Sequence, residues 1–90
     1  MKYVVLNGEE MTSIETAHQY LASQLNFPEY YGGNLDALWD ILSTISEPVQ
    51  IRLINEDKLA GYLGDYGYSL LNVMHEAAIF NDRISFEILK

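Results

Sequence analysis

Lys2-Tyr3-Val4-Val5-Leu6-Asn7-Gly8 is a run of apolar, β-favouring residues that stops at a turn dipeptide. It is too short for a signal-peptide core or a membrane span, so it predicts a strand over residues 2–7. Apolar side chains at both odd and even positions predict burial on both faces. Two later runs differ. Val49, Ile51 and Leu53 alternate with Gln50 and Arg52, and Ile84, Phe86 and Ile88 alternate with Ser85 and Glu87. Alternation predicts strands covered on one face only. The doubly apolar first strand is therefore expected in the middle of the sheet, which gives the order 2-1-3.

The intervening segments carry helical spacing. Thr12-Ser13-Ile14-Glu15 reads as a capping box with Thr12 at its head, followed by Ile14, Ala17, Leu21 and Leu25 on one face. Asn26 can close this helix in a left-handed conformation, and Pro28 blocks its continuation. A second helix is predicted over about 34–44, with Leu35, Leu38, Trp39 and Leu42 as its core stripe and Ile41 widening it. Asn55-Glu56-Asp57 opens a short helix ending near Gly61 or Gly64. A loop through Tyr66, Gly67 and Tyr68 leads to a fourth helix over 69–80, with Leu70, Val73, Met74, Ala77 and Phe80 inward. Strands separated by helix pairs pair in parallel through right-handed crossovers. The expectation is a single α/β domain over residues 1–90, a three-stranded parallel sheet flanked by four helices.

Composition narrows the function classes. The chain has 90 residues and is 49% hydrophobic, which suits one folded domain and excludes disorder. Without cysteine it can form neither a disulfide framework nor a thiolate metal site. Lacking a recognisable targeting segment, it is expected in the cytoplasm. Five cations face thirteen carboxylates, for a net charge of -8. No Lys or Arg occurs between Lys2 and Arg52, where seven carboxylates fall. Such a surface repels nucleic acid and attracts basic partners, although acidity also serves plain solubility.

The second helix concentrates this charge. Asp36 and Asp40 lie four residues apart, about 40° round the axis from each other, and Ser43 continues their ridge. Like charges at that spacing cost a few tenths of a kcal/mol, and no cation sits within a turn to compensate. Asp36 is favoured by the helix dipole, and Asp40 taken alone reads as a solvated residue. The preceding Tyr30-Tyr31-Gly32-Gly33 places aromatic rings beside the same ridge, the composition of a binding hot spot. Glu76 flanks the inward residues of the fourth helix. His18, next to Ala17 on the buried face, reads as structural rather than as a base. A carboxylate pair on one exposed helix face has no pocket to separate its pKa values for acid–base work. Nor is there a calcium loop, a nucleophile motif or a phosphate-cradling loop.

Pro28-Glu29-Tyr30-Tyr31-Gly32-Gly33-Asn34-Leu35-Asp36-Ala37-Leu38-Trp39-Asp40 closely resembles the core motif of the barstar family, intracellular inhibitors of barnase-type ribonucleases. Asn7-Gly8-Glu9, His18-Gln19, and Val73 with Glu76-Ala77 extend the resemblance along the chain. It implies a barstar-like fold and an inhibitor that lays its second helix and the preceding loop into a guanyl-preferring, extracellular ribonuclease. By position, Asp40 takes the place of an RNA phosphate among the enzyme's cations, and Asp36 and Glu76 pair with further cations. Tyr30 packs against the catalytic histidine, and Gly32, Asn34, Leu35, Trp39 and Val73 add contacts or support. Tyr31, Ser43, Thr44 and Ile45 complete the implied partner-binding set. Gly33 stands where the model inhibitor has glutamate, and Thr44 and Ile45 where it has glycine and tryptophan. The resemblance implies no catalytic residue, metal or cofactor. The implied complex is one-to-one with a basic secreted ribonuclease, involves no nucleic acid or membrane, and leaves the free protein monomeric. The alternatives are a barstar-like module whose acidic face recognises a different basic protein and, more remotely, a small carboxylate-dependent hydrolase.

Overall fold

The computed structural model describes residues 1–90. Its strands are β1 (Lys2–Asn7), β2 (Val49–Ile54) and β3 (Ile84–Ile88), and its helices α1 (Ile14–Leu25), α2 (Leu35–Ser43), α3 (Glu56–Leu63) and α4 (Asp65–Phe80). All strand pairing is parallel, and the order is β1-β2-β3. The expected order 2-1-3 is thus corrected: β2, not β1, is central. Val4, Ile51 and Phe86 stand in register on the covered face, and Val5, Arg52 and Glu87 on the other. Val5 is 54% exposed and Tyr3 68%, so the odd-numbered apolar residues of β1 face solvent. The sheet is covered on one face only. Under that condition the central strand alternates as an edge strand does, and apolar content no longer reports position.

The covered face of the sheet and the inner faces of the helices share one core. Leu6, Met11, Leu21, Leu38, Leu42, Ile51, Leu53, Leu59 and Leu70 are its fully buried large side chains. Asn26 closes α1 in the left-handed region (φ 56°), as its position predicts. The cap of α1 is Ser13 rather than Thr12, its hydroxyl accepting from the Thr16 N–H at 3.1 Å. Ile14 is therefore the first residue of α1, on the side of Leu21 and Leu25 but at the open end of the helix, and it is exposed.

The predicted loop through Tyr66–Tyr68 is instead the first turn of α4. Gly67 can sit there because its missing side chain is useful. A Cβ at that position would lie 2.9 Å from Leu59 Cδ2, so glycine lets α3 and α4 approach closely. Phe80, expected inward, is exposed at the end of α4. Asn81, the residue after α4, donates its side-chain amide to Leu42 O at 3.0 Å and Ile45 O at 2.9 Å. It thereby satisfies carbonyls that the end of α2 leaves without helical partners.

Candidate functional site

The ends of α2 are pinned independently. At its start the Asn34 carboxamide accepts from the Ala37 N–H at 2.8 Å. At its end, besides the Asn81 brace, the Thr44 hydroxyl donates to Asp40 O at 2.8 Å. Leu38 and Leu42 anchor the buried side. The opposite side, with Asp36 and Asp40, is exposed. Helical geometry puts Trp39 and Ile41 about 100° to either side of Asp40. The two flanks are built differently. Trp39 faces α4 and shares a shallow cleft with Glu76. Ile41, Thr44 and Ile45 share a groove with Pro28 and Tyr30. Tyr30 is 84% exposed, with its ring free on that side.

The structure therefore brings Tyr30, Asp36, Trp39, Asp40, Thr44, Ile45 and Glu76 onto one surface around α2. Ser43 is half-buried, its hydroxyl donating to Asp40 O at 3.3 Å. Gly32 and Asn34 are exposed at the entry to the helix, whereas Leu35 and Val73 are half-buried beside the core. Gly33 adopts φ +68°, a left-handed conformation that a glutamate at this position would adopt only with strain.

Tyr31 points the other way from Tyr30. Its hydroxyl meets His18 Nδ1 at 2.6 Å, while the Tyr66 hydroxyl meets His18 Nε2 at 2.7 Å. One nitrogen of a neutral imidazole donates and the other accepts, so a single buried ring ties α1, the loop and α4 together. The structural reading of His18 agrees with this geometry. Burial lowers the His18 pKa from its ordinary 6.5. Burial, followed by the charge of a deprotonated Tyr66, pushes the Tyr31 pKa up to about 12.

These shifts set signs. A histidine whose folded pKa lies below 6.5 binds its proton more readily when unfolded, so stability falls as pH drops below that value. The urea midpoint is expected to be lower at pH 5.5 than at pH 7.5, and a His18→Gln variant to show a shallower fall. Equal midpoints in the parent would remove the buried neutral ring. At the alkaline end, Tyr31 contributes stability that is full below about 10 and fades towards about 12.

The acidic surface is uncompensated. The ion pairs are Arg52–Glu87 at 3.8 Å, Arg83–Asp82 at 3.7 Å and Lys90–Glu56 at 3.9 Å, and none includes Asp36, Asp40 or Glu76. No Lys or Arg occurs on α1, α2 or α4. Rigid carboxylates on a cation-free face can bind a cationic surface.

The chain matches the family model described as Barstar (barnase inhibitor) over residues 1–89. It belongs to the barstar family. A relative in Bacillus subtilis (strain 168), named "Putative ribonuclease inhibitor YrdF", is 38% identical over 78 residues, 86% of either chain. The barstar fold is that of a ribonuclease inhibitor, and this barstar-family chain is an inhibitor rather than an enzyme. No helix is long and apolar enough to cross a membrane.

Sequence reasoning missed three parts of this surface. The brace from Asn81 and the two hydroxyls on His18 are long-range pairings with no local signature. Ile79 and Phe80, bare on the Glu76 flank, did have a signal. Ile79 follows the buried Ala77 by two residues, about 200° round the helix, which aims it at solvent.

Proposed function

We propose that this barstar-family protein inhibits a guanyl-preferring, barnase-type secreted ribonuclease by seating α2 in its cationic active site, with Asp40 in place of an RNA phosphate. The observation that carries this reading is Asp40 itself, exposed on a helix pinned at both ends and paired with no cation of its own chain. A ribonuclease site gathers positive charge to hold phosphate. A carboxylate array fixed in advance matches that field without the ordering cost that a flexible segment would bear. Asp36 and Glu76 widen the array, and Tyr30 supplies an aromatic face beside it. Thr44 and Ile45 border the groove next to Tyr30, and Gly32, Asn34, Leu35, Ser43 and Val73 frame the contact. Tyr31 acts from beneath, holding the loop through His18. The complex is one-to-one, the free protein is monomeric, and the inhibitor resides in the cytoplasm.

Electrostatic steering gives the test. Charge-complementary surfaces associate about 10–1,000 times faster than neutral ones, and salt removes the gain. Stopped-flow association with the target ribonuclease is expected to slow at least about tenfold as salt rises from low to high ionic strength. An association rate indifferent to salt would count against steering by the acidic face altogether and favour a partner held by apolar contact; a family member whose acidic face recognises a different basic protein would instead keep the salt dependence without inhibiting any ribonuclease.

A further inference from the structure

The Glu76 flank carries apolar surface that phosphate mimicry does not use. Ile79 is 85% exposed and Phe80 69%, and neither is part of the core. The Phe80 ring leans on Trp39, with centroids 5.4 Å apart and planes inclined at 52°. Trp39, Glu76, Ile79 and Phe80 enclose a shallow cleft of about 290 Å³. Ile79 and Phe80 adjoin Trp39, so the exposed apolar surface is contiguous rather than scattered, the kind of surface that marks an interaction site. Helical geometry aims Ile79 outward, so no repacking of the core would hide it.

We infer that Ile79 and Phe80 form an apolar extension of the inhibitory surface, and that the cleft receives an apolar side chain from the rim of the ribonuclease's cationic site. This rests on the inhibitor reading above. Continuity with the proposed charged surface identifies the occupant: Trp39 and Glu76 belong both to the cleft and to the face around Asp40, so a partner seated on Asp40 and Glu76 reaches Ile79. The cleft's chemistry limits what that partner brings. Three of its four walls are apolar, and Ile79 offers nothing to a charge. The division of labour follows. The exposed carboxylates speed the enzyme's arrival, Asp40 anchors it once seated, and the apolar patch further slows its departure. Ribonucleases with the same phosphate-binding centre but different rims are then told apart by Ile79 and Phe80.

The experiment uses the whole chain against a panel of bacterial guanyl-preferring ribonucleases that includes barnase. The enzyme most strongly inhibited by the parent is carried into binding kinetics with Asp40→Ala and Ile79→Ser. Ile79→Ser is expected to fold as the parent does, to dissociate about fivefold or more faster, and to keep the parent's association rate and salt dependence. Parental dissociation from Ile79→Ser, alongside a large loss in Asp40→Ala, overturns the apolar extension and leaves the inhibitor reading intact. Inhibition of no ribonuclease, or an Asp40→Ala variant that binds normally, overturns that reading and the extension with it. Sedimentation covers the remaining occupant. A parent that dimerises at micromolar concentration, with Ile79→Ser monomeric, would assign the patch to a second copy and overturn the inference.

Discussion

Asp40→Ala is expected to weaken binding to the target ribonuclease by about 3–5 kcal/mol, roughly a hundredfold to several thousandfold, while leaving the free protein folded. The size follows from asymmetry. In the proposed complex the enzyme's phosphate-binding cations exchange water for the Asp40 carboxylate. Removing that carboxylate leaves them dehydrated and unpaired, which costs more than the intact pair contributes. The free protein has little to lose. Asp40 is exposed, is absent from every ion pair, and contributes its backbone carbonyl, not its side chain, to the Thr44 bond. The change also relieves repulsion from Asp36 and inserts the best helix former, so the Tm of the free variant is expected to equal or slightly exceed the parent's. Calorimetric titration with thermal unfolding of the free chain measures both. Parental affinity would remove the phosphate-mimic role, and a large loss of Tm would recast Asp40 as structural.

A stability gain paired with a binding loss is the signature of a residue kept for function. The same tension runs through α2. Two carboxylates one turn apart disfavour an isolated helix, so tertiary structure must hold it. Asn34 at one end, Asn81 at the other and Leu38 with Leu42 beneath provide that support. The His18 ring does the same for the loop bearing Tyr30, through the hydroxyls of Tyr31 and Tyr66. Such bracing keeps the charges in a binding geometry before the partner arrives.

What sequence could show depended on how local each cause is. Asp36 and Asp40 were readable as one exposed ridge because helical pitch fixes their directions relative to Leu38 and Leu42. Asn26 as a left-handed terminator was readable because few residues tolerate that conformation. Strand order was not, because Tyr3 and Val5 look like core residues and nothing local says that one face of the sheet is bare. The cap moved from Thr12 to Ser13 because neighbouring hydroxyls are chemically equivalent. The start of α4 was hidden by Gly67, which resembles a turn residue in sequence and is a packing residue in the fold. Phe80 looked like more of the same core but is exposed against Trp39, whereas the outward aim of Ile79 follows from helical pitch alone.

Gly8→Ala is expected to cost about 3 kcal/mol or more of folding stability, a large part of the roughly 5–10 kcal/mol that holds a domain of this size together. A Cβ on Gly8 would stand 2.1 Å from the backbone oxygen of Asn55, 3.0 Å from its carbonyl carbon and 3.2 Å from Leu59 Cβ. Side chains can swing aside, but this carbonyl cannot. It accepts from the N–H groups of Lys58 at 3.1 Å and Leu59 at 3.4 Å, and so begins α3. Asn55 is itself held in a left-handed conformation (φ 57°), its amide donating to Asn7 Oδ1 at 2.9 Å. That oxygen also accepts from the Glu9 N–H at 3.0 Å. The exits of β1 and β2 are thus laced at one point, and room for a methyl group requires breaking the lacing. By the usual proportion for domains of this size, Tm falls by about 12 °C or more. Gly61→Ala is the control: it lies within α3 with nothing within 4 Å of a new Cβ, and the change is expected to leave Tm unchanged or raise it by a few degrees. Thermal unfolding of both variants decides the matter, and a parental Tm for Gly8→Ala would mean that β1 and β2 do not leave the sheet in such close contact.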